Sequence, residues 1–235
     1  MNELQFIDAL EKKGIMLNET QIKQFRLYYE TLIEWNQKMN LTAITKKEEV
    51  YLKHFYDSIT PAFDFTFNSQ TIIDVGAGAG FPSIPLKIIY PDLKITIVDS
   101  LNKRITFLHH LFMVLGFSKV DAVAMRAEDY AKEHFEQADI VMARAVARLS
   151  ILNELCLPLV KVGGCFIALK GKNALEEVTE CKKGITILGG KIIKESSFTL
   201  SDDNDYRFNL LIQKINHTPK KYPRHFSKIK KQPIR

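Results

Sequence analysis

The most constraining feature of this 235-residue chain is a short apolar segment that runs directly into a glycine-rich turn. Residues Ile72–Val75 predict a buried strand, and the turn at 76–80 has glycine at every other position. Glycine has no Cβ, so the backbone can turn tightly there and approach a ligand closely. Pro82 is suited to the first turn of a following helix. This arrangement predicts a nucleoside-cofactor site; a tight turn with no ligand is the alternative.

The residues around the turn discriminate between nucleoside cofactors. A dinucleotide-binding Gly-x-Gly-x-x-Gly motif starting at Gly76 requires glycine at position 81, where this chain has Phe81. Asp74 would repel a pyrophosphate but suits the ammonium and sulfonium groups of S-adenosylmethionine (SAM). Asp99 ends a second apolar strand, about 20 residues beyond the turn, where a carboxylate meets ribose hydroxyls. The pattern favours SAM, with Gly76, Gly78 and Asp99 as binding residues.

Length and composition limit the class of protein. The chain suits one domain of about 150 to 200 residues plus an extension. Its three cysteines lack Cys-x-x-Cys spacing and lie in apolar patterns, so we expect reduced core residues and no metal site. No apolar run approaches the roughly 18 residues of a membrane span, and the N-terminus lacks a basic leader. We expect a soluble, cytoplasmic monomer without a membrane partner.

The order of patterns predicts three regions, 1–66, 67–215 and 216–235. The first is a helical extension with helices at about 2–13, 18–39 and 46–59. In the second, strands at 71–75, 94–98, 120–124, 139–143 and 164–169 alternate with helices near 82–90, 101–115, 149–160 and 173–183. Strands at about 185–198 and 207–215 follow as an antiparallel hairpin. The alternation of strands and helices predicts a parallel sheet. Together with the terminal hairpin, this pattern suits the α/β, Rossmann-like class I SAM-dependent methyltransferase fold, with seven strands and an antiparallel last strand.

Ligands of open α/β sheets bind at the carboxyl ends of the strands. After the third strand, Ala127 and Glu128 offer a small residue and a carboxylate that could frame an adenine and accept from its amino group. The alternative is an acidic first turn of the next helix. The fourth strand ends at Arg144, the position that faces the transferable methyl group. The fifth strand ends at Lys170, a candidate substrate contact.

The end of the fourth strand lacks the motifs of two other methyltransferase classes. Neither the Asn/Asp-Pro-Pro-Tyr/Phe motif for exocyclic amines nor a nucleophilic cysteine for pyrimidine carbon is present there. Arg144 and Arg148 offer cations for a phosphate or a base O6, or else form ion pairs with Glu128 or Asp129. An acceptor with a free lone pair, such as guanine N7, needs no general base. Catalysis would then consist of aligning the reactants at about 3 Å.

Positive charge is concentrated at the C-terminus. Residues 206–235 contain nine of the 33 Lys and Arg residues and no Asp or Glu. In 219–226 cations that include Lys221 and Arg224 alternate with aromatic residues, which suits phosphate contacts and stacking on bases; a disordered, solvated end is the alternative. In the extension, Asn40 and His54 are further RNA candidates, and Asp57, three residues after His54, is another unusual polar group. A hydrogen-bonded core histidine is the alternative for His54.

Several of these residues occur together in one known family. The chain resembles the RsmG (GidB) family of bacterial 16S rRNA guanine-N7 methyltransferases in motifs that span 35–224: Trp35-Asn36-x-x-x-Asn40-Leu41-Thr42, His54-x-x-Asp57-Ser58, Asp74-Val75-Gly76-Ala77-Gly78-Ala79-Gly80-Phe81-Pro82, Asp99-Ser100-x-x-Lys103-Arg104, Ala127-Glu128, Ala143-Arg144-Ala145-Val146-Ala147 and Lys221-Tyr222-Pro223-Arg224. Ala77 and Ser83 stand where the family often has serine and glycine, and both are small. The region beyond Arg224 matches no motif.

The resemblance implies a SAM-dependent enzyme that methylates a guanine in the decoding region of 16S rRNA, at the position numbered 527. Its substrate would be naked rRNA, the small ribosomal subunit or an assembly intermediate. It also implies SAM contacts at Gly76, Phe81, Ala127, Glu128 and Arg144, with Arg144 positioning the reactants. Methylation of another RNA or a protein, and SAM-dependent RNA binding without turnover, are the alternatives.

Overall fold

A computed structural model describes residues 1–200 and 205–234 and contains one seven-stranded sheet with the order β3-β2-β1-β4-β5-β7-β6. The strands are β1 (Thr71–Val75), β2 (Lys94–Asp99), β3 (Val120–Ala124), β4 (Ala138–Arg144), β5 (Val160–Lys170), β6 (Gly190–Thr199) and β7 (Tyr206–Lys214). β1 to β5 are parallel, whereas β7 runs antiparallel to both β5 and β6. The predicted architecture, including the antiparallel hairpin at one sheet edge, is confirmed.

The helices lie on both sides of this sheet. They are α1 (Glu3–Glu11), α2 (Glu19–Met39), α3 (Lys47–Val50), α4 (Asp57–Ile59), α5 (Ser83–Ile89), α6 (Asn102–Val114), α7 (Ala127–Glu133), α8 (Leu149–Cys156), α9 (Ala174–Ile187) and α10 (Phe226–Lys231). A π-helical segment, Tyr51–Tyr56, joins α3 to α4, and 3₁₀ turns at Thr60–Phe63 and Leu157–Leu159 follow α4 and α8. Asn18 caps α2 as predicted, and α7 has the acidic first turn that was the alternative for Glu128 and Asp129, whereas the short helix α10 was not predicted. None of the described helices is long and apolar enough to cross a membrane.

The sheet separates two apolar cores. Alternation along β1 directs Ile72 into one core and Ile73 into the other, and Ile140 and Val141 on β4 repeat that division. The first core contains the helical extension with α5 and α6, and the second contains α7, α8 and α9. The molecule therefore has three layers, with the extension on one face of the sheet.

The helical extension packs directly against the glycine-rich turn. Its interior is a cluster of aromatic rings in which Phe6 lies 4.9 Å from Phe25 and 5.4 Å from Tyr51, measured between ring centroids. At the edge of this cluster the Tyr28 ring stacks on Phe81 at 5.3 Å, and its hydroxyl donates a 2.6 Å hydrogen bond to the Ala79 carbonyl. The extension therefore helps to hold the turn in place.

The segment after β7 is folded against the core. We call residues 216–234 the C-terminal strap. Its Thr218 and Ile229 side chains are buried, and Arg224 forms an ion pair with the fully buried Glu154 of α8. The alternative of a disordered end is therefore wrong for these residues. Lys220 and Lys221 remain exposed on the strap.

Replacing Tyr28 by phenylalanine tests the contact between the extension and the turn. The Ala79 carbonyl would lose a buried donor, so we expect the free energy of unfolding to fall by about 1–3 kcal/mol in urea denaturation. Tyr29→Phe is the matched control, because its hydroxyl makes only an exposed 3.3 Å bond to the Thr45 carbonyl. Equal effects of the two variants would contradict a special role for Tyr28.

Candidate active site

A cavity of about 430 Å³ opens at the carboxyl ends of β1, β2, β3 and β4. Seven residues that the sequence analysis assigned to cofactor binding line it together: Gly76, Gly78, Phe81, Asp99, Ala127, Glu128 and Arg144. They come from four strand ends that are far apart in sequence. The sheet order β3-β2-β1-β4 brings these ends side by side, which is where open α/β sheets bind ligands.

The glycines of the turn adopt backbone conformations that other residues rarely take. Gly76 has φ of +72° and Gly78 has φ of +61°, both in the left-handed region. A Cβ at Gly76 would also lie 2.7 Å from a methyl group of Val146. The turn therefore requires glycine at position 76 for steric reasons, and its backbone forms part of the cavity wall.

The Asp99 carboxylate is oriented by three donors. Its Oδ1 accepts from the Leu101 amide at 3.0 Å, and its Oδ2 accepts from the Gly78 amide at 3.2 Å and from Arg104 at 3.0 Å. An ionised carboxylate can accept about four hydrogen bonds. One accepting position therefore remains for a ligand hydroxyl in the cavity.

Glu128 is a second carboxylate in the cavity wall. The residue is buried in the first turn of α7 and forms no side-chain hydrogen bond with any residue that the structure describes. The carboxylate lines the open cavity, where it can accept hydrogen bonds from a ligand that brings a donor. Ala127 beside it keeps that part of the cavity wall free of a large side chain.

Asp74 lies behind the turn and does not line the cavity. The residue is fully buried, and its Oδ2 accepts a 3.0 Å bond from the Ser83 amide at the start of α5. Burial raises the pKa of Asp74 to about 7. The prediction that this carboxylate lies beside the charged groups of a cofactor is therefore wrong, because it holds the first turn of α5 instead.

Arg144 joins the end of β4 to the helical extension. Its Nη1 donates to Asp57 Oδ2 at 2.9 Å and to the Lys53 carbonyl at 3.0 Å. Its guanidinium carbon lies 4.9 Å from the centroid of the Phe81 ring. The ion pairs considered with Glu128 or Asp129 are wrong; the partner is Asp57. Asp57 also binds Arg207 of β7 at 3.2 Å, a residue that the sequence analysis missed.

His54 is held between Arg144 and the extension. Its ring stacks on Phe81 at 4.5 Å, and burial and the neighbouring Arg144 lower its pKa to about 3. Arg144 Nη2 lies 3.2 Å from Nδ1, and a guanidinium can only donate, so Nδ1 accepts. The proton is therefore on Nε2, which donates to Thr42 Oγ1 at 2.9 Å. Both ring nitrogens are engaged, and His54 is neutral.

A second cavity of about 440 Å³ shares a wall with the first. The shared residues are His54, Arg144 and Ala145. The rest of the second cavity contains four cationic side chains, Lys53, Lys170, Lys172 and Arg207, and two carboxylates, Asp57 and Glu177, so positive charge is in excess. Lys170 donates to the Ala147 carbonyl at 2.8 Å and pairs with Glu177 at 2.8 Å, so its ammonium is held in place. The second cavity suits a ligand that carries negative charge.

The other predicted RNA contacts do not line either cavity. Asn40 caps the C-terminus of α2 in a left-handed conformation with φ of 52°, and Arg148 pairs with Glu180 at 3.3 Å on the surface. Lys221 is exposed beside the Tyr222 ring. The guanidinium of Arg224 is bound to Glu154, so the predicted phosphate contact at Arg224 is replaced by a structural ion pair.

Comparisons with known proteins agree with this geometry. Residues 21–204 match the family model described as GidB, rRNA small subunit methyltransferase G. The chain is 58% identical to the ribosomal RNA small subunit methyltransferase G of Macrococcus caseolyticus (strain JCSC5402) over 236 residues, covering 100% of this chain and 99% of the relative. It is also 58% identical to the protein of that name from Bacillus cereus (strain B4264), over 237 residues and with the same coverage.

Two solved structures share the fold at low sequence identity. M. jannaschii TYW2 in complex with AdoMet matches with a TM-score of 0.55 and 16% identity, covering 68% of this chain and 77% of that chain. A SAM-dependent methyltransferase from Aquifex aeolicus matches with a TM-score of 0.52 and 16% identity, covering 71% of this chain and 93% of that chain. The fold is therefore that of Rossmann-like SAM-dependent methyltransferases.

The raised pKa of Asp74 predicts how stability depends on pH. The folded state binds this proton more tightly than the unfolded chain, whose ordinary pKa is 3.8, so stability is lost as the pH rises from about 4 to 7. Asp74→Asn removes that loss. In urea denaturation, we expect the free energy of unfolding of the variant, relative to the unsubstituted protein, to increase by about 2–4 kcal/mol between pH 4 and pH 8.

Asp139→Asn serves as the control for this pH experiment. Hydrogen bonds from Thr71 and the neighbouring Lys161 lower the pKa of Asp139 despite its partial burial. The stability that this carboxylate adds is therefore already present above about pH 4, and its removal should leave relative stability nearly constant between pH 4 and pH 8. A similar increase for both variants over that range would contradict the assignment of Asp74.

Proposed function

Because the chain belongs to the GidB family of rRNA small subunit methyltransferases, we propose that it transfers a methyl group from SAM to N7 of a guanine in 16S rRNA, at the position numbered 527. The observation that carries the choice of N7 is the wall shared by the two cavities. In that wall His54 is neutral with both ring nitrogens engaged, and Asp57, which lines the second cavity beside it, is bound to two arginines. Among the residues that the structure describes, this wall offers no free proton acceptor, and guanine N7 has no proton to lose.

The residues of the first cavity fit SAM. The left-handed glycines give a ligand close access to the backbone, and Asp99 retains one accepting position for a ribose hydroxyl. Glu128 can accept from the amino group of adenine. When bound, SAM supplies an electrophilic methyl group. The adenine would lie toward the end of β3 and the methyl group toward Arg144 at the end of β4.

Arg144 is suited to position the acceptor base. A guanidinium has five N–H donors, and three of those of Arg144 are used by Asp57, the Lys53 carbonyl and His54. Two donors remain for an acceptor such as guanine O6, which lies next to N7 on the same edge of the base. The cations of the second cavity would bind the adjoining phosphates. Arg144 then aligns the nucleophile with the methyl group, and the protein moves no proton in the transfer step.

Analysis of 16S rRNA tests the proposed acceptor atom. Cells that lack this protein should lose one borohydride/aniline-sensitive N7-methylguanine, and the gene supplied in trans should restore it. Asp99→Asn should restore it poorly, whereas Asp92→Asn, an exposed control distant from the cavity, should restore it fully. Persistence of the modification in the deletion strain would contradict the proposal. Methyl transfer into a tRNA or protein fraction would instead identify a different acceptor.

The exposed lysines of the C-terminal strap test the RNA interface. Each phosphate contact that is lost should reduce the slope of log K against log salt by about 0.7 to 0.9, so Lys220→Gln/Lys221→Gln should reduce it by about 1.4 to 1.8. Lys94→Gln/Lys119→Gln is the control with the same charge change, at the amino ends of β2 and β3 and outside both cavities. Binding of 16S rRNA fragments measured over a salt series gives both slopes. Equal slopes of log K against log salt for the two variants would show that Lys220 and Lys221 contribute to solubility and not to RNA binding.

A further inference from the structure

The C-terminal strap crosses the face of the sheet that carries α7, α8 and α9. At its start the Thr218 amide donates to Glu136 at 2.7 Å, and the Thr218 hydroxyl donates to the Leu188 carbonyl at 2.7 Å. At its far end a Cβ on Gly184 of α9 would lie 2.5 Å from the Ile234 carbonyl oxygen, so the strap approaches α9 as closely as glycine permits. Both ends of the strap are therefore fixed to the core.

The middle of the strap is anchored by a buried ion pair. Glu154 of α8 has no exposed surface, and its carboxylate accepts from the Arg224 amide at 2.9 Å, from Nε at 2.8 Å and from Nη2 at 2.6 Å. Two-point binding of a carboxylate by a guanidinium fixes direction as well as distance. The residues that follow Arg224 are therefore held in a defined position.

Phe226 is the first residue of α10 and follows this anchor by two positions. The residue lines the first cavity, where the wall also includes Arg126, Ala127 and Glu128. The Arg126 guanidinium carbon lies 5.3 Å from the centroid of the Phe226 ring. These neighbours follow β3, whereas Arg144 ends β4, so Phe226 lies at the end of the cavity opposite the proposed methyl group.

We propose that Phe226 forms one wall of the adenine subsite of SAM and that the Arg224–Glu154 pair positions it there. This inference rests on the proposed orientation of SAM in the first cavity. An aromatic ring beside a purine contributes binding energy by stacking and by excluding water. The family model matches residues 21–204, which do not include the strap, whereas the relatives at 58% identity match over its full length. With Phe226 in this position, the strap is part of the cofactor site in addition to carrying exposed lysines.

Binding of SAM to the full-length protein without RNA tests the role of Phe226. By calorimetry we expect Phe226→Ala to raise the Kd for SAM roughly tenfold and Phe226→Tyr to preserve it. Adenosine should lose affinity by a similar factor, because the contact is to the base. At saturating SAM, kcat should stay within about twofold of the unsubstituted protein. Lys228→Ala, an exposed substitution on the same helix, should leave the Kd for SAM unchanged.

A double substitution tests the positioning role of the ion pair. Glu154→Gln/Arg224→Gln removes both charges together, so no unpaired charge remains in the core. It should raise the Kd for SAM by nearly the same factor as Phe226→Ala, and adding it to Phe226→Ala should have little further effect. Additive effects would overturn the positioning role.

The two proposals can fail separately. A folded Phe226→Ala protein with an unchanged Kd for SAM would overturn the inference, even if 16S rRNA methylation is intact. Weaker RNA binding at unchanged SAM affinity would also overturn it and assign the ring to RNA. Circular dichroism and the unfolding midpoint confirm that each variant is folded. Weaker SAM binding in Phe226→Ala supports the inference whichever nucleotide is methylated.

Discussion

The arrangement of the site depends on one buried carboxylate, Asp57, between two arginines. Asp57 belongs to the helical extension, Arg144 ends β4, and Arg207 lies on β7, so the contact joins three parts of the fold. Burial raises the pKa of Asp57, while both guanidinium groups oppose that shift. The cost of desolvating such groups offsets much of their attraction, so the contact contributes geometry more than net stability. It fixes Arg144 at the wall between the two cavities and, through Arg144, fixes His54.

Features that depend on local pattern could be predicted from the sequence. The strands, the glycine turn and the cap at Asn18 follow from periodicity, absence of a Cβ and side-chain chemistry within a few residues. The partner of Arg144 could not be predicted, because Asp57 is 87 residues away and Glu128 and Asp129 are nearer in sequence. Asp74 shows a second limit. Its position near the end of β1 predicts a ligand contact, but whether the side chain faces the cavity or the start of α5 depends on tertiary packing.

The C-terminal strap shows why charge composition alone is ambiguous. Arg224 and Lys221 are close in sequence, and both contribute to the same basic segment. A guanidinium is weakly hydrated and can bind a carboxylate at two points, so Arg224 is able to pair with the buried Glu154. A lysine ammonium is strongly hydrated, and Lys221 stays at the surface. The same segment therefore has an inward side that stabilises the fold and an outward side available to phosphates. Only the location of Glu154 in the folded protein distinguishes the inward side of the segment from the outward side.

The first cavity is bounded by elements from both faces of the sheet. On one face, Tyr28 and His54 of the extension pack against Phe81. On the other, the strap brings Phe226 to the same cavity. The glycine turn lies between these supports and supplies no side chain large enough to enclose a ligand. A ligand that contacts the strand ends, the extension and the strap binds only when all three are folded. Its binding free energy therefore adds to the stability of the extension and the strap. The helical extension and the strap should therefore become more resistant to local unfolding together, although they lie on opposite faces of the sheet.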